Sequence, residues 1–185
     1  MFDDETQSDI PTARMLAWAK NSAIWRLARK MMSERELSDA ISRKARAKFP
    51  DIGAAQLKAV AAFAVEFAHS QNALNDVAYA EVSARSGVRS GKSKKMIAQK
   101  LSAKGIGSDA AVAALEETDD LHAALVFARK RGFGPFRRGA LDDRRKAKEL
   151  SAFARNGFAF EIGKRVFEMT AEDAEELLAA GPASP

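Results

Sequence analysis

The stretch Gly87-Val88-Arg89-Ser90-Gly91-Lys92-Ser93 holds the residue types of a phosphate-binding loop: glycines that let backbone N–H groups turn toward an anion, a lysine and a hydroxyl. Its spacing does not complete one. Four residues must separate the first glycine from Gly-Lys-Ser, which requires glycine where Ser86 stands. Val77, Ala80 and Ala84 precede the run at helical spacing, whereas that loop follows a buried strand. No nucleoside triphosphatase is expected. What the run retains is a helix start: Ser93 is placed to cap, and Lys92, Lys94 and Lys95 beside exposed N–H groups suit an anion or simply a capped turn.

The acidic pairs Asp119-Asp120 and Asp142-Asp143 are the residues that acid–base catalysis would use. Each pair sits where a helix begins, so capping of N–H groups and a favourable helix dipole account for it without catalysis. Arg129 to Arg138 packs basic residues around Phe133, Gly134, Pro135 and Phe136, an arrangement able to stack bases of a single strand or to pin a linker to the core, with burial the default for phenylalanine. The isolated histidines, His69 and His122, lack the partner spacing zinc needs and are read as surface or hydrogen-bonded residues. With no cysteine there is no disulfide framework or thiolate site, so neither metal nor cofactor is expected.

Charge is unevenly distributed within the formal net of +5. Acid gathers in Asp3 to Asp9 and Glu168 to Glu176. Between Val82 and Ser108 there is no acidic residue, while Arg85, Arg89, Lys92, Lys94, Lys95, Lys100 and Lys104 lie there. That stretch suits phosphates or an acidic protein surface, or forms a solvated helix face. The longest apolar run, Ala59 to Val65, is far shorter than the roughly 20 residues a membrane span needs. The opening Asp3, Asp4 and Glu5 do not resemble a secretory signal, giving the expectation of a cytoplasmic protein with no membrane partner.

The elements that must position these residues are helices. Leu16, Ala19, Ala23, Leu27 and Met31 recur at helical spacing, with Trp18 and Trp25 on one face as packing residues. Ser33 and Glu36 form a capping box for the next helix, carrying Leu37, Ile41 and Ala45 up to Pro50. A third carries Leu57, Val60, Ala64 and Phe67. Val77, Ala80 and Ala84 mark a fourth, Ile97 and Leu101 a fifth ended by Gly105, and Val112 and Leu115 a sixth opened by Ser108. Ser33, Leu37, Ile41 and Lys44 recur as Ser93, Ile97, Leu101 and Lys104 at one interval, the mark of an internal repeat. A fainter third set has Leu121, Leu125 and Ala128, then Leu150 and Phe153, then Ile162 and Val166. A last helix runs from Ala171 under a Thr170 cap to Gly181-Pro182.

The expected fold is therefore all-α: three tandem three-helix, helix-turn-helix-like repeats in an elongated, curved molecule, with an extra C-terminal helix. Residues 1–11 form an acidic, flexible tail, 12–72, 73–118 and 119–169 the three repeats, and 170–185 the final helix and tail.

Leu74-Asn75-Asp76 with Tyr79-Ala80, then Arg85, Gly91-Lys92-Ser93, Ile97, Leu101 and Lys104-Gly105-Ile106, resemble the central repeat of RecX proteins. The first repeat agrees through Leu27-Ala28, Ser33, Glu36-Leu37 and Lys44, and the third through Phe153 and Arg155-Asn156-Gly157-Phe158. Asn72-Ala73 stands where the family often has a glycine before the Leu-Asn-Asp run, and the third repeat carries an atypical Gly134-Pro135-Phe136 linker. The motif residues Leu74, Asp76, Tyr79, Ala80, Gly91, Leu101, Lys104, Gly105, Gly157 and Phe158 read as mostly architectural, with Asp76 a helix cap and Tyr79 and Leu101 core.

The resemblance implies a non-enzymatic regulator of recombination, DNA repair and the SOS response. Its partner is the RecA filament on single-stranded DNA, whose growth, ATPase, strand exchange and co-protease activity it limits. Weak non-specific DNA binding accompanies this, with no small-molecule substrate. Arg85, Arg89, Lys92, Lys94, Lys95, Arg129, Arg131, Arg137 and Arg138 are the candidate contacts to RecA or DNA. The alternative is a helix-turn-helix protein acting directly on DNA through Arg43, Lys44, Arg46 and Lys48, or Lys94, Lys95 and Lys100. For base readout it offers only Gln99.

Overall fold

A computed structural model describes residues 9–182, so most of the expected acidic N-terminal tail and the last three residues lie outside the description. Among the described residues there are ten α-helices, one 3-10 turn and no strand. The helices are α1 (Ala13–Leu27), α2 (Glu34–Lys48), α3 (Ala54–Ser70), α4 (Asp76–Arg89), α5 (Lys94–Ala103), α6 (Ser108–Glu116), α7 (Asp120–Arg131), α8 (Asp143–Arg155), α9 (Phe160–Glu168) and α10 (Ala171–Ala180); the 3-10 turn is Gly134–Phe136. None is long and apolar enough to cross a membrane.

Two compact units emerge, Met1–Tyr79 and Ala80–Pro185, and the division falls within α4. The first unit packs α1, α2 and α3 around Ala19, Ala23, Leu37, Ile41, Val60 and Ala64, all fully buried. The Ser33–Glu36 box closes α2, with the Glu36 N–H donating to Ser33 Oγ at 3.2 Å and the Ser33 N–H to Glu36 Oε2 at 3.5 Å. Trp18 packs edge-on against Phe49 with ring centroids 5.6 Å apart. Trp25 does not share that role: it is 54% exposed, because α1 ends two residues later and turns its last face outward, correcting the expectation that both tryptophans pack inside.

In the second unit, five phenylalanine contacts knit the core: Phe127 lies 5.4 Å from Phe153 and 5.7 Å from Phe158, Phe153 lies 6.0 Å from Phe158, and Phe133 joins both Phe127 and Phe153. Phe133 thus pins the segment after α7 to the core. Val77 and Val112, expected inside, are exposed; the buried stripe of α4 runs through Ala80, Ala84 and Val88, and the buried residue of α6 is Ala114. His122 is buried with its Nδ1 lacking a hydrogen-bond partner among the described residues, while His69 pairs with Glu34 at 2.8 Å, so only the latter fits the reading of a satisfied surface histidine.

A recurring clasp ties α2 and α5 each to the helix that opens the following set. Asn75 caps α4 itself by accepting the Ala78 N–H at 2.9 Å; Asp76, next to it, instead accepts the Glu34 N–H of α2 at 3.1 Å. Asp119 likewise caps α7 through the His122 N–H at 3.0 Å, and Asp120 accepts the Lys94 N–H of α5 at 2.8 Å. Asp76 therefore caps a helix other than its own. Burial pushes the Asp120 carboxyl above its ordinary value, against the pull of the Lys94 N–H and charge. Asp120→Ala should cost about 1 kcal/mol, and Asp120→Asn less, since Asn keeps the acceptor without a charge to desolvate. Urea unfolding of the three proteins checks the order; an Asn variant less stable than Ala would refute the clasp.

Candidate functional site

The start of α5 is where the sequence allows either an anion site or a plain capped turn. Ser93 is fully buried; its Oγ accepts the Met96 N–H at 3.2 Å and donates to the Asn156 carbonyl at 2.7 Å. The Asp120 carboxylate already takes the Lys94 N–H. An arriving anion would meet a carboxylate there, so the capped turn is the correct reading and the phosphate-receiving one is corrected.

The same turns bring exposed cations together. Gly91 has φ +75°, and a Cβ there would stand 2.8 Å from the Phe127 backbone nitrogen, so the turn after α4 lies directly on α7. Lys130 Nζ donates to the Ser90 carbonyl at 3.0 Å across the same junction. Arg89 and Lys92 on that turn thereby neighbour the Arg129–Arg131 end of α7. Gly157, at φ +80°, comes so close to α5 that a Cβ would meet Ser93 Oγ at 2.7 Å and the Lys95 Cβ at 3.1 Å. This sets Lys95 beside the Arg155-Asn156-Gly157 turn. Lys130 and Arg155, both exposed, join these cations, the first from the basic run of Arg129 to Arg138 and the second from the third-repeat motif. Sequence distance hides Arg155, whereas Lys130 stood inside the basic run.

Not every expected contact stays on that face. Arg137 is taken into the fold: its Nη2 and Nε reach Glu149 at 2.7 and 2.8 Å, and its guanidinium covers the Phe167 ring at 4.8 Å. Glu149, 1% exposed, also accepts the Gly134 N–H at 2.9 Å and Arg145 Nε at 3.3 Å. Burial alone would raise its carboxyl, but Arg137, the Gly134 N–H and Arg145 outweigh burial and hold it below the ordinary 4.5. The same pairing raises the Arg137 guanidinium further. Lys94 borders a cleft of about 590 Å³ shared with Arg165 and with Glu116, Glu117, Asp119, Asp120 and Glu161, and this excess of carboxylates over cations disfavours phosphate. Arg129 pairs with Glu175 of α10 and lies over Phe136, and Arg85 pairs with Glu81 at 3.8 Å. Arg89, Lys92, Lys95, Arg131 and Arg138 are exposed and have no carboxylate in ion-pair contact among the described residues. The motif residues Leu74, Tyr79, Ala80, Leu101 and Phe158 are buried, Gly91 and Gly157 make the close approaches above, and Lys104-Gly105 turns the chain out of α5.

Residues 75–115, from the cap of α4 to the end of α6, match the family described as RecX, second three-helix domain. The chain is 60% identical over 181 residues, 98% of each protein, to the regulatory protein RecX of Agrobacterium fabrum. The chain belongs to the RecX family. A RecX of Myxococcus xanthus is 42% identical over 101 residues, covering 51% of this chain and 54% of that one. The crystal structure of RecX from Lactobacillus salivarius superposes with a TM-score of 0.61 at 19% identity, covering 90% of this chain and 100% of that one. A second RecX crystal structure gives 0.62 at 22% identity over 85% and 73%. At such identities the two structures establish the RecX fold, and the Agrobacterium relative establishes the family.

Proposed function

We propose that this RecX-family chain regulates recombination without catalysis, by binding RecA filaments on single-stranded DNA and limiting their growth, ATPase, strand exchange and co-protease activity. The observation that carries the reading is the gathering of Arg89, Lys92, Lys95, Lys130 and Arg131 around the α4–α5 turn in a chain of this family. A filament is a repeating surface of protein and phosphate, and exposed cations on a rigid helical support complement it. In this reading the repeats at 12–72, 73–118 and 119–169 each make a weak contact, and tethering them adds through effective concentration. The same cations give weak, salt-sensitive, non-specific DNA binding.

Titrating the protein into RecA hydrolysing ATP on single-stranded DNA should slow hydrolysis below one protein per RecA, because blocking growth of a dynamic filament affects more subunits than are touched. Lys92→Glu with Lys95→Glu should raise the half-inhibitory concentration about tenfold, two exposed contacts each being worth up to about 1 kcal/mol. Full inhibition by that variant would reject the basic face as the contact, and none at equimolar wild-type protein would reject the RecA reading.

A further inference from the structure

A second basic surface lies in the first unit. Helix α1 contains Arg14, Lys20 and Arg26 and no acidic residue, and from Ile41 onward α2 has Arg43, Lys44, Arg46 and Lys48 and again no acid. Between the two helices runs a cleft of about 320 Å³ with Trp18, Ser22 and Arg26 on the α1 side and Lys44, Ala47 and Lys48 on the α2 side. Arg26 is held there by Ser22, its Nε donating to the hydroxyl at 3.4 Å. Among the described residues no carboxylate is in ion-pair contact with Arg26, Arg29, Lys44 or Lys48. Like charges held this close without counter-charge raise the local potential and favour a polyanion.

Beside the cleft stands Trp25, about two helical turns beyond Trp18 and more than half exposed. The Arg29 guanidinium lies over its ring at 4.0 Å and that of Arg26 at 6.0 Å, so Arg26 belongs both to the cleft and to the aromatic. An exposed tryptophan flanked by cations is the pair of features with which single strands are held: the cations track phosphates, and the ring accepts an unstacked base. A duplex keeps its bases stacked on each other and leaves Trp25 without a partner. We propose that the α1–α2 cleft and Trp25 form a binding site for single-stranded nucleic acid, with Arg26, Lys44 and Lys48 on the backbone and one base on Trp25. The site needs no RecA, and its fate is independent of the regulatory reading.

Anisotropy of a labelled oligothymidylate, with a duplex of equal length as control, tests this on the full chain. Trp25→Ala should weaken single-strand binding about tenfold and duplex binding by about twofold at most, since one stacked base is at stake. Trp25→Phe keeps a ring and should retain most of the affinity. Lys44→Gln with Lys48→Gln should reduce the slope of log affinity against log salt by about 1.4 for the single strand. The oligonucleotide should quench tryptophan fluorescence in the wild type, and Lys58→Gln, at an exposed lysine of α3, should leave that quenching intact. All these positions except the half-buried Arg26 and Trp18, which are left unchanged, are exposed, so circular dichroism should report an unaltered fold. Equal loss on single strand and duplex from Trp25→Ala, no loss, or displacement of the oligonucleotide by polyglutamate of equal charge would each overturn the proposal.

Discussion

Glu149→Ala is expected to destabilise the protein by about 3 kcal/mol, lowering the midpoint of thermal unfolding by roughly 6–12 °C in a chain of this size. The loss comes less from the attraction removed than from what is left behind. The Arg137 guanidinium would remain mostly buried with no counter-charge, and the Gly134 N–H would lose its acceptor. Double replacement of Glu149 and Arg137 by Ala should therefore cost no more than the single change, and that coupling separates a buried pair from a loss of packing. Glu149→Gln keeps an acceptor and should fall between. A loss under about 1 kcal/mol for Glu149→Ala would reject this account.

The same carboxyl sets an acid limit. Its folded value lies below its ordinary 4.5, so beneath about pH 4.5 the unfolded chain takes up the proton first. The contribution of Glu149 is fully present at neutral pH and is lost as pH falls from there through the folded value. Glu149→Gln should flatten that part of the stability profile. Asp76 and Asp120 act in the opposite sense: burial raises both, so ionising them as pH climbs above 3.8 takes stability away.

These groups mark where sequence reading stops. Ser33 and Glu36 reveal their capping box because both partners lie within one turn, and Leu37, Ile41, Ile97 and Leu101 reveal their burial because helical spacing repeats it. Glu149 sits among lysines and arginines on α8 and reads as one more solvated charge; only the turn at Gly134, reached from α7, encloses it. Asp120 shows that it opens a helix but not that its carboxylate serves α5, twenty-six residues earlier. The exposed positions misled for a related reason. Val112 and Trp25 have the spacing of buried residues, but spacing defines a face and not whether anything packs upon it. The basic set was legible as composition, and its division into Arg137 and Lys94 on one side and Lys92, Lys95 and Arg131 on the other was decided by carboxylates distant in sequence.

Gly91→Ala is the other change with a large expected effect, about 2–4 kcal/mol of lost stability. Two costs combine. At φ +75° any L side chain is strained, and the added Cβ would press on the Phe127 backbone nitrogen at 2.8 Å and on its Cα at 3.1 Å. Backbone within a helix cannot swing aside as a lysine tip can, so the α4–α5 turn must lift from α7. Lys130 would then lose its bond to the Ser90 carbonyl, and Arg89 and Lys92 would move relative to Arg131. This gives Gly91 a second readout: at a temperature where the variant is still folded, its RecA inhibition and its DNA affinity should drop although no cation has been removed. Gly107→Ala serves as the control, because a Cβ there meets nothing within 4 Å and φ is not left-handed. If Gly91 instead served a phosphate-binding loop, Gly91→Ala would spare stability and abolish nucleotide binding. Denaturant unfolding and calorimetry with ATP distinguish these outcomes, and unchanged stability would refute the packing role argued for this glycine.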